Sequence, residues 1–99
     1  MKSIMQSKKE CFICRNNYDV ETTRGLHEHH IFEGTGRRKQ SEKYGLKVYL
    51  CYRHHNMDSD FGVHYQKALD LELKQLAQRK FEETHTREEF REHFIKSYL

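Results

Sequence analysis

Two short turns, "CFIC" at 11–14 and "CYRH" at 51–54, each carry metal-ligand residues at both ends of an x-x spacing. That spacing lets both ends of a turn face one ion, so Cys11, Cys14, Cys51 and His54 can supply a closed tetrahedral zinc site. One ion held this way ties the N-terminal segment to the middle of the chain. A chain of 99 residues with 35% apolar residues and a mean hydropathy of -1.05 builds only a small core, and a staple stabilises it. Three cysteines leave one over in any disulfide scheme, whereas three thiolates and one imidazole leave none. The alternative is a buried cysteine pair with a stray thiol, cysteine being a frequent core residue. His54 and His55 compete for the fourth position, and the spacing of His54 mirrors the first turn.

The segments around these turns read as a small α+β domain. "RNNYD" after the first knuckle reads as a polar turn, "GLHEHHIF" as a short strand and "EGTGRRKQ" as a glycine-containing basic loop. "SEKYG" suits a single helical turn ended by Gly45. "LKVYLC" alternates Leu46, Val48 and Leu50 with Lys47, Tyr49 and Cys51, the period of a half-buried strand, and delivers Cys51 to its end. Phe61, Tyr65, Leu69, Leu73, Leu76, Ala77 and Phe81 then recur at helical steps, which predicts one amphipathic helix over 61–83. Thr86 with Glu89 forms a capping box that starts a last helix, 86–98, burying Phe90 and Phe94. Residues 1–8 read as a flexible tail, and 9–99 as one domain with its core in 11–81.

Zinc uses one of eight histidines and none of the three in "LHEHHIF" at 26–32. At the frayed end of a twisted strand two neighbours can both reach a site beside it. His29 and His30 can therefore converge with His55 and His64 on a second, open metal site with a spare histidine. Such a site suits phosphodiester hydrolysis: a divalent ion binds the phosphate while a neutral imidazole takes a proton from water. The plainer alternative is that these are solvent-facing or satisfied core histidines, which is the reading adopted for His85 and His93; His27 reads as supporting or exposed. Residues 1–50 hold ten Lys/Arg against six Asp/Glu, and residues 51–99 hold eight against nine. Arg37, Arg38 and Lys39 concentrate that excess, either as a solvated loop or as a grip on backbone phosphates.

Taken together, Cys11-x-x-Cys14, "HHI" at 29–31 and "LCYRHHN" at 50–56 resemble the zinc-containing HNH endonucleases, whose fold is a ββα-metal finger. More narrowly, "EHHIF.G..RR..SEKYGLKVYLC" followed by "GVH" is similar to small phage and prophage proteins grouped with the recombination-enhancement, RecA-dependent nucleases. The resemblance implies a metal-dependent DNA endonuclease with structural Zn2+ and a catalytic Mg2+ or Mn2+. It implies His30 as general base, His29 and His55 as metal ligands, and His64 as a helix-borne ligand or phosphate contact. Asn56 matches the middle Asn of the family name. Two positions depart from the pattern. "NMDSDFGV" separates His55 from His64, so it must fold back for both to bind, and Arg15 stands where relatives commonly have glycine.

DNA is the partner this implies, with a recombination or phage-packaging protein as a further one. No stripe suited to base readout is evident, so cleavage is expected to depend weakly on sequence. No apolar run approaches the roughly 20 residues of a membrane span, and "MKSIMQSKKE" lacks a signal-peptide core, which predicts a cytoplasmic protein. Two rivals are a non-catalytic zinc-binding DNA module and a protein-interaction module that docks through the 61–83 helix.

Overall fold

The computed structural model describes residues 2–34, 36–57, 62–64 and 66–99, without the side chains of Asn56 and Met57. Its centre is a two-stranded antiparallel sheet of β1 (Leu26–His30) and β2 (Lys47–Cys51), paired from Leu26 opposite Cys51 to His30 opposite Lys47. Helix α1 (Phe12–Tyr18) precedes the hairpin, α2 (Arg37–Tyr44) lies within its connection, and α3 (Lys67–Phe81) and α4 (Arg87–Phe94) follow it. A π-helical turn, Arg53–Met57, joins β2 to the segment before α3.

Two of these helices differ from the sequence expectation. The polar stretch after Cys11 is helical, because the Cys11 thiol accepts from the Cys14 N–H at 3.4 Å and so caps α1. Arg15 clamps the buried carboxylate of Glu10 at 2.7 and 3.1 Å. The expected basic loop at Arg37, Arg38 and Lys39 is the first turn of α2. That helix has no apolar stripe. Its anchor is the buried Ser41 hydroxyl, which accepts from the Phe32 N–H and donates to the Phe32 carbonyl, each at 3.0 Å.

β2 is more buried than a half-buried strand, with Lys47, Val48, Leu50 and Cys51 all covered. Residues 2–8, read from the sequence as a tail, explain part of this by lying along its outer edge. The Ile4 N–H donates to the Gly45 carbonyl at 2.9 Å, the Tyr49 N–H donates to Gln6 Oε1 at 2.6 Å, and Ser3 Oγ donates to the Lys47 carbonyl. An otherwise open strand edge is thereby satisfied.

The predicted 61–83 helix is seen as Lys67–Phe81; Phe61 and Tyr65 lie outside the described residues. Leu73, Ala77 and Phe81 are buried as expected, but Leu76 is 36% exposed. The capping box at Thr86 is present, and α4 buries Phe90 and Phe94 against Phe32 and Phe81. Gln78, fully buried, accepts from the Tyr98 N–H at 2.7 Å and donates to Ser97 and Glu82, which fastens the C-terminal residues onto α3. His85 stacks on Phe81, and His93 lies 3.1 Å from the Tyr44 hydroxyl, so both have structural partners. No helix among the described residues is long and apolar enough to cross a membrane.

Gly45 ends α2 at φ 70°, and a Cβ there would collide with the Lys2 carbonyl. Gly36 has φ 84° but open space around it. Gly36→Ala should therefore lose about 1–2 kcal/mol of stability from backbone strain alone, and Gly45→Ala clearly more, as read by denaturant melts. Equal losses would show that the N-terminal segment does not press on this turn.

Candidate metal centres

Cys11 caps α1, Cys14 lies within it, Cys51 ends β2 and His54 lies in the π turn, and all four are buried. Cys14 Sγ lies 3.9 Å from Cys51 Sγ, and His54 Nδ1 lies 3.6, 3.4 and 3.2 Å from the thiols of Cys11, Cys14 and Cys51. Ligands about 2.3 Å from a tetrahedral zinc ion lie about 3.8 Å apart. A disulfide needs its sulfurs about 2.05 Å apart, and all three cysteines are free. The four residues fit a structural zinc site, and His54 rather than His55 completes it.

Successive side chains of a helical turn diverge by roughly a quarter of a revolution. His55 therefore leaves the zinc-type cluster and meets His29 and His64, with ligand atoms within 4.8 Å of one another. The fold-back required of the following segment is present: Val63 N–H donates to the His54 carbonyl at 2.8 Å and His64 N–H to the His55 carbonyl at 3.2 Å. His55 Nε2 and His64 Nε2 are 2.9 Å apart, close to the about 3.0–3.4 Å between two nitrogens sharing one ion. His29 is 2% exposed, and its buried Nε2 has no hydrogen-bond partner among the described residues. An orphaned buried nitrogen beside two further imidazoles could hold a divalent metal ion.

Burial, reinforced by the neighbouring imidazoles, pushes His29 down to about 3 and His55 down to about 4. Both rings are therefore neutral at physiological pH, the form that ligates metal. Glu33, absent from the sequence reading, lies 3.6 Å from Nδ1 of both His29 and His64, behind the ligand edge. His27 reaches the same cluster, its Nδ1 2.9 Å from His55 Nδ1. Alternation along a strand could have signalled His27, which shares a face with His29 two residues on.

That alternation also separates the expected fourth member. His30 does not join the three imidazoles; it faces Glu42, with Nε2 2.9 Å from Oε1. It still lines the same open cleft of about 350 Å3, together with His29, His55, His64 and Arg38. Of the three basic residues, Arg38 is the one on the cleft; Arg37 is half-buried near Gly34 and Lys39 is exposed. Asn56 lies in the π turn by its backbone, and its side chain is outside the described ones.

Comparison with protein-family models, curated proteins and solved structures finds no match to the chain.

Two outcomes follow from this geometry. Cys51→Ser should lose tightly bound zinc and unfold the N-terminal half, because metal binding is folding free energy here, whereas His55→Ala should keep both. Zinc content by mass spectrometry and a melting curve decide it, and equal behaviour of the two variants would show that the clusters are not separate. The second outcome concerns pH. An unfolded histidine titrates near 6.5 but His29 near 3, so between these values the unfolded chain binds the extra proton and stability falls as pH falls. Up to about 1.4 kcal/mol per pH unit should be lost through this residue below about pH 6. His29→Gln should flatten the dependence by that amount, and the difference between variant and parent removes any contribution from zinc release common to both.

Proposed function

We propose that the protein is a metal-dependent DNA endonuclease of the HNH type, with β1, β2 and the turn leading to α3 as its ββα-metal unit. The observation that carries this reading is the His29, His55 and His64 cluster opening on a cleft that His30 also lines, on a hairpin stapled by a Cys3His cluster. A divalent cation, magnesium or manganese, would supply Lewis-acid polarisation of a phosphate oxygen and stabilise charge on the leaving oxygen; of the two, manganese tolerates an all-imidazole set better. His29, His55 and His64 would hold it. His30, engaged on one nitrogen by Glu42, keeps the other for taking a proton from water. Arg38, on the cleft wall, offers a guanidinium to backbone phosphate without reading bases. Phage or prophage origin, a recombination or packaging partner and a cytoplasmic setting belong to this reading through the resemblance of the motifs.

Incubation with supercoiled plasmid and magnesium, manganese or chelator tests it: conversion to nicked or linear DNA should require the added ion. His30→Ala should cut the rate about 100- to 10,000-fold while leaving zinc content and melting unchanged. His29→Ala should also cut it, but through metal affinity, so that raising manganese partly rescues His29→Ala and not His30→Ala. Identical responses of both variants to manganese would overturn the assignment of roles, and a parent chain inert with every ion would overturn the nuclease itself.

A further inference from the structure

His30 and Lys47 face each other across the β1–β2 ladder. Glu42, from α2, reaches both. Lys47 Nζ donates to its two carboxylate oxygens at 3.0 and 2.8 Å, and His30 Nε2 lies 2.9 Å from Oε1. Glu28 stands beside them, 3.5 Å from Lys47 and 3.8 Å from His30. Glu28, His30 and Glu42 are close enough to hold a cation, but the Lys47 ammonium already stands between the carboxylates, so positive charge is built into this face. The Lys47 ammonium, with His30 adding to it, holds the Glu42 carboxyl well below the usual carboxylate range.

An ionised carboxylate only accepts hydrogen bonds, so the proton between Glu42 and His30 belongs to the histidine. With Nε2 protonated, a neutral imidazole carries its one basic lone pair on Nδ1. We propose that Glu42 is a positioning residue that holds His30 as the Nε2–H tautomer, so that Nδ1 is the atom that deprotonates the attacking water. The inference rests on the nuclease reading for its chemical consequence. In that step the water O–H bond breaks, its proton goes to Nδ1, the water oxygen forms a P–O bond, and the leaving oxygen departs with its bonding pair.

The test is long-range proton–nitrogen correlation NMR on the zinc-loaded full chain, labelled with nitrogen-15 histidine, at mildly alkaline pH. His30, assigned by its absence in His30→Ala, should show a protonated Nε2 and a bare Nδ1. A mixture of tautomers, or a protonated Nδ1, in the parent overturns the proposal whatever any variant does. In Glu42→Ala the acceptor at Nε2 is removed, so the ring proton should spread over both nitrogens as in a free imidazole. The Nε2–H form should no longer be exclusive and plasmid cleavage should fall, with zinc content and manganese affinity as in the parent. An exclusive Nε2–H form in that variant also overturns it, as does full cleavage by a chain that has lost it. Loss of manganese affinity would place Glu42 in the metal site instead and overturn the positioning role. A parent chain that cleaves nothing, yet shows His30 locked in the Nε2–H form, would fail the nuclease reading alone.

Discussion

The convergence of three thiols and one imidazole is the constraint on which the rest of the structure depends. It joins the start of α1, the end of β2 and the π turn at one buried point. α1 itself buries only Ile13 and Cys14, while Phe32, Phe81, Phe90 and Phe94 pack on one another. The Cys3His cluster, the hairpin and this aromatic group belong to one continuous core.

Strand alternation then divides the chemistry. β1 sends His27 and His29 toward the π turn, and Glu28 and His30 toward Lys47 and α2. Burial keeps the His29 and His55 rings unprotonated on one side, and the Glu42–Lys47 ion pair lies on the other. The cleft runs where these two environments meet, so one five-residue strand contributes both to the imidazole cluster and to the His30–Glu42 pair. The separation is electrostatically sensible, since a carboxylate pair with its ammonium next to the imidazole cluster would compete for the same protons and cations.

Much of this was legible in the residues and some was not, for physical reasons. The two knuckles, both strands, the last helix and its capping box carry signals local in sequence: ligand spacing, period-two alternation and a Thr–Glu pair three residues apart. α1 and α2 carry no such signal. One is capped by a cysteine that composition assigns to metal, and the other is anchored by a serine hydroxyl bound to backbone from another segment, so neither shows an apolar stripe. Spacing pointed to His54 for the thiolate cluster, but where His55 goes depends on the helical turn, and the placements of Glu33, Glu42 and Lys47 depend on contacts between elements. Residue type was informative about chemistry, and less so about which nitrogen faces which neighbour.

The placement of His54 and His55 on one turn has a consequence for thermodynamics. His54 and His55 are neighbours on one hydrogen-bonded turn, so ordering this turn at one cluster can favour binding at the other. Linkage makes this reciprocal: whatever factor the occupied thiolate cluster contributes to affinity at the cleft, the occupied cleft returns to the thiolate cluster. Where such coupling holds, a thiol oxidant or a chelator acting on the buried cluster would weaken ion binding at the cleft without touching it, relating the state of three cysteines to that of three histidines through one peptide bond.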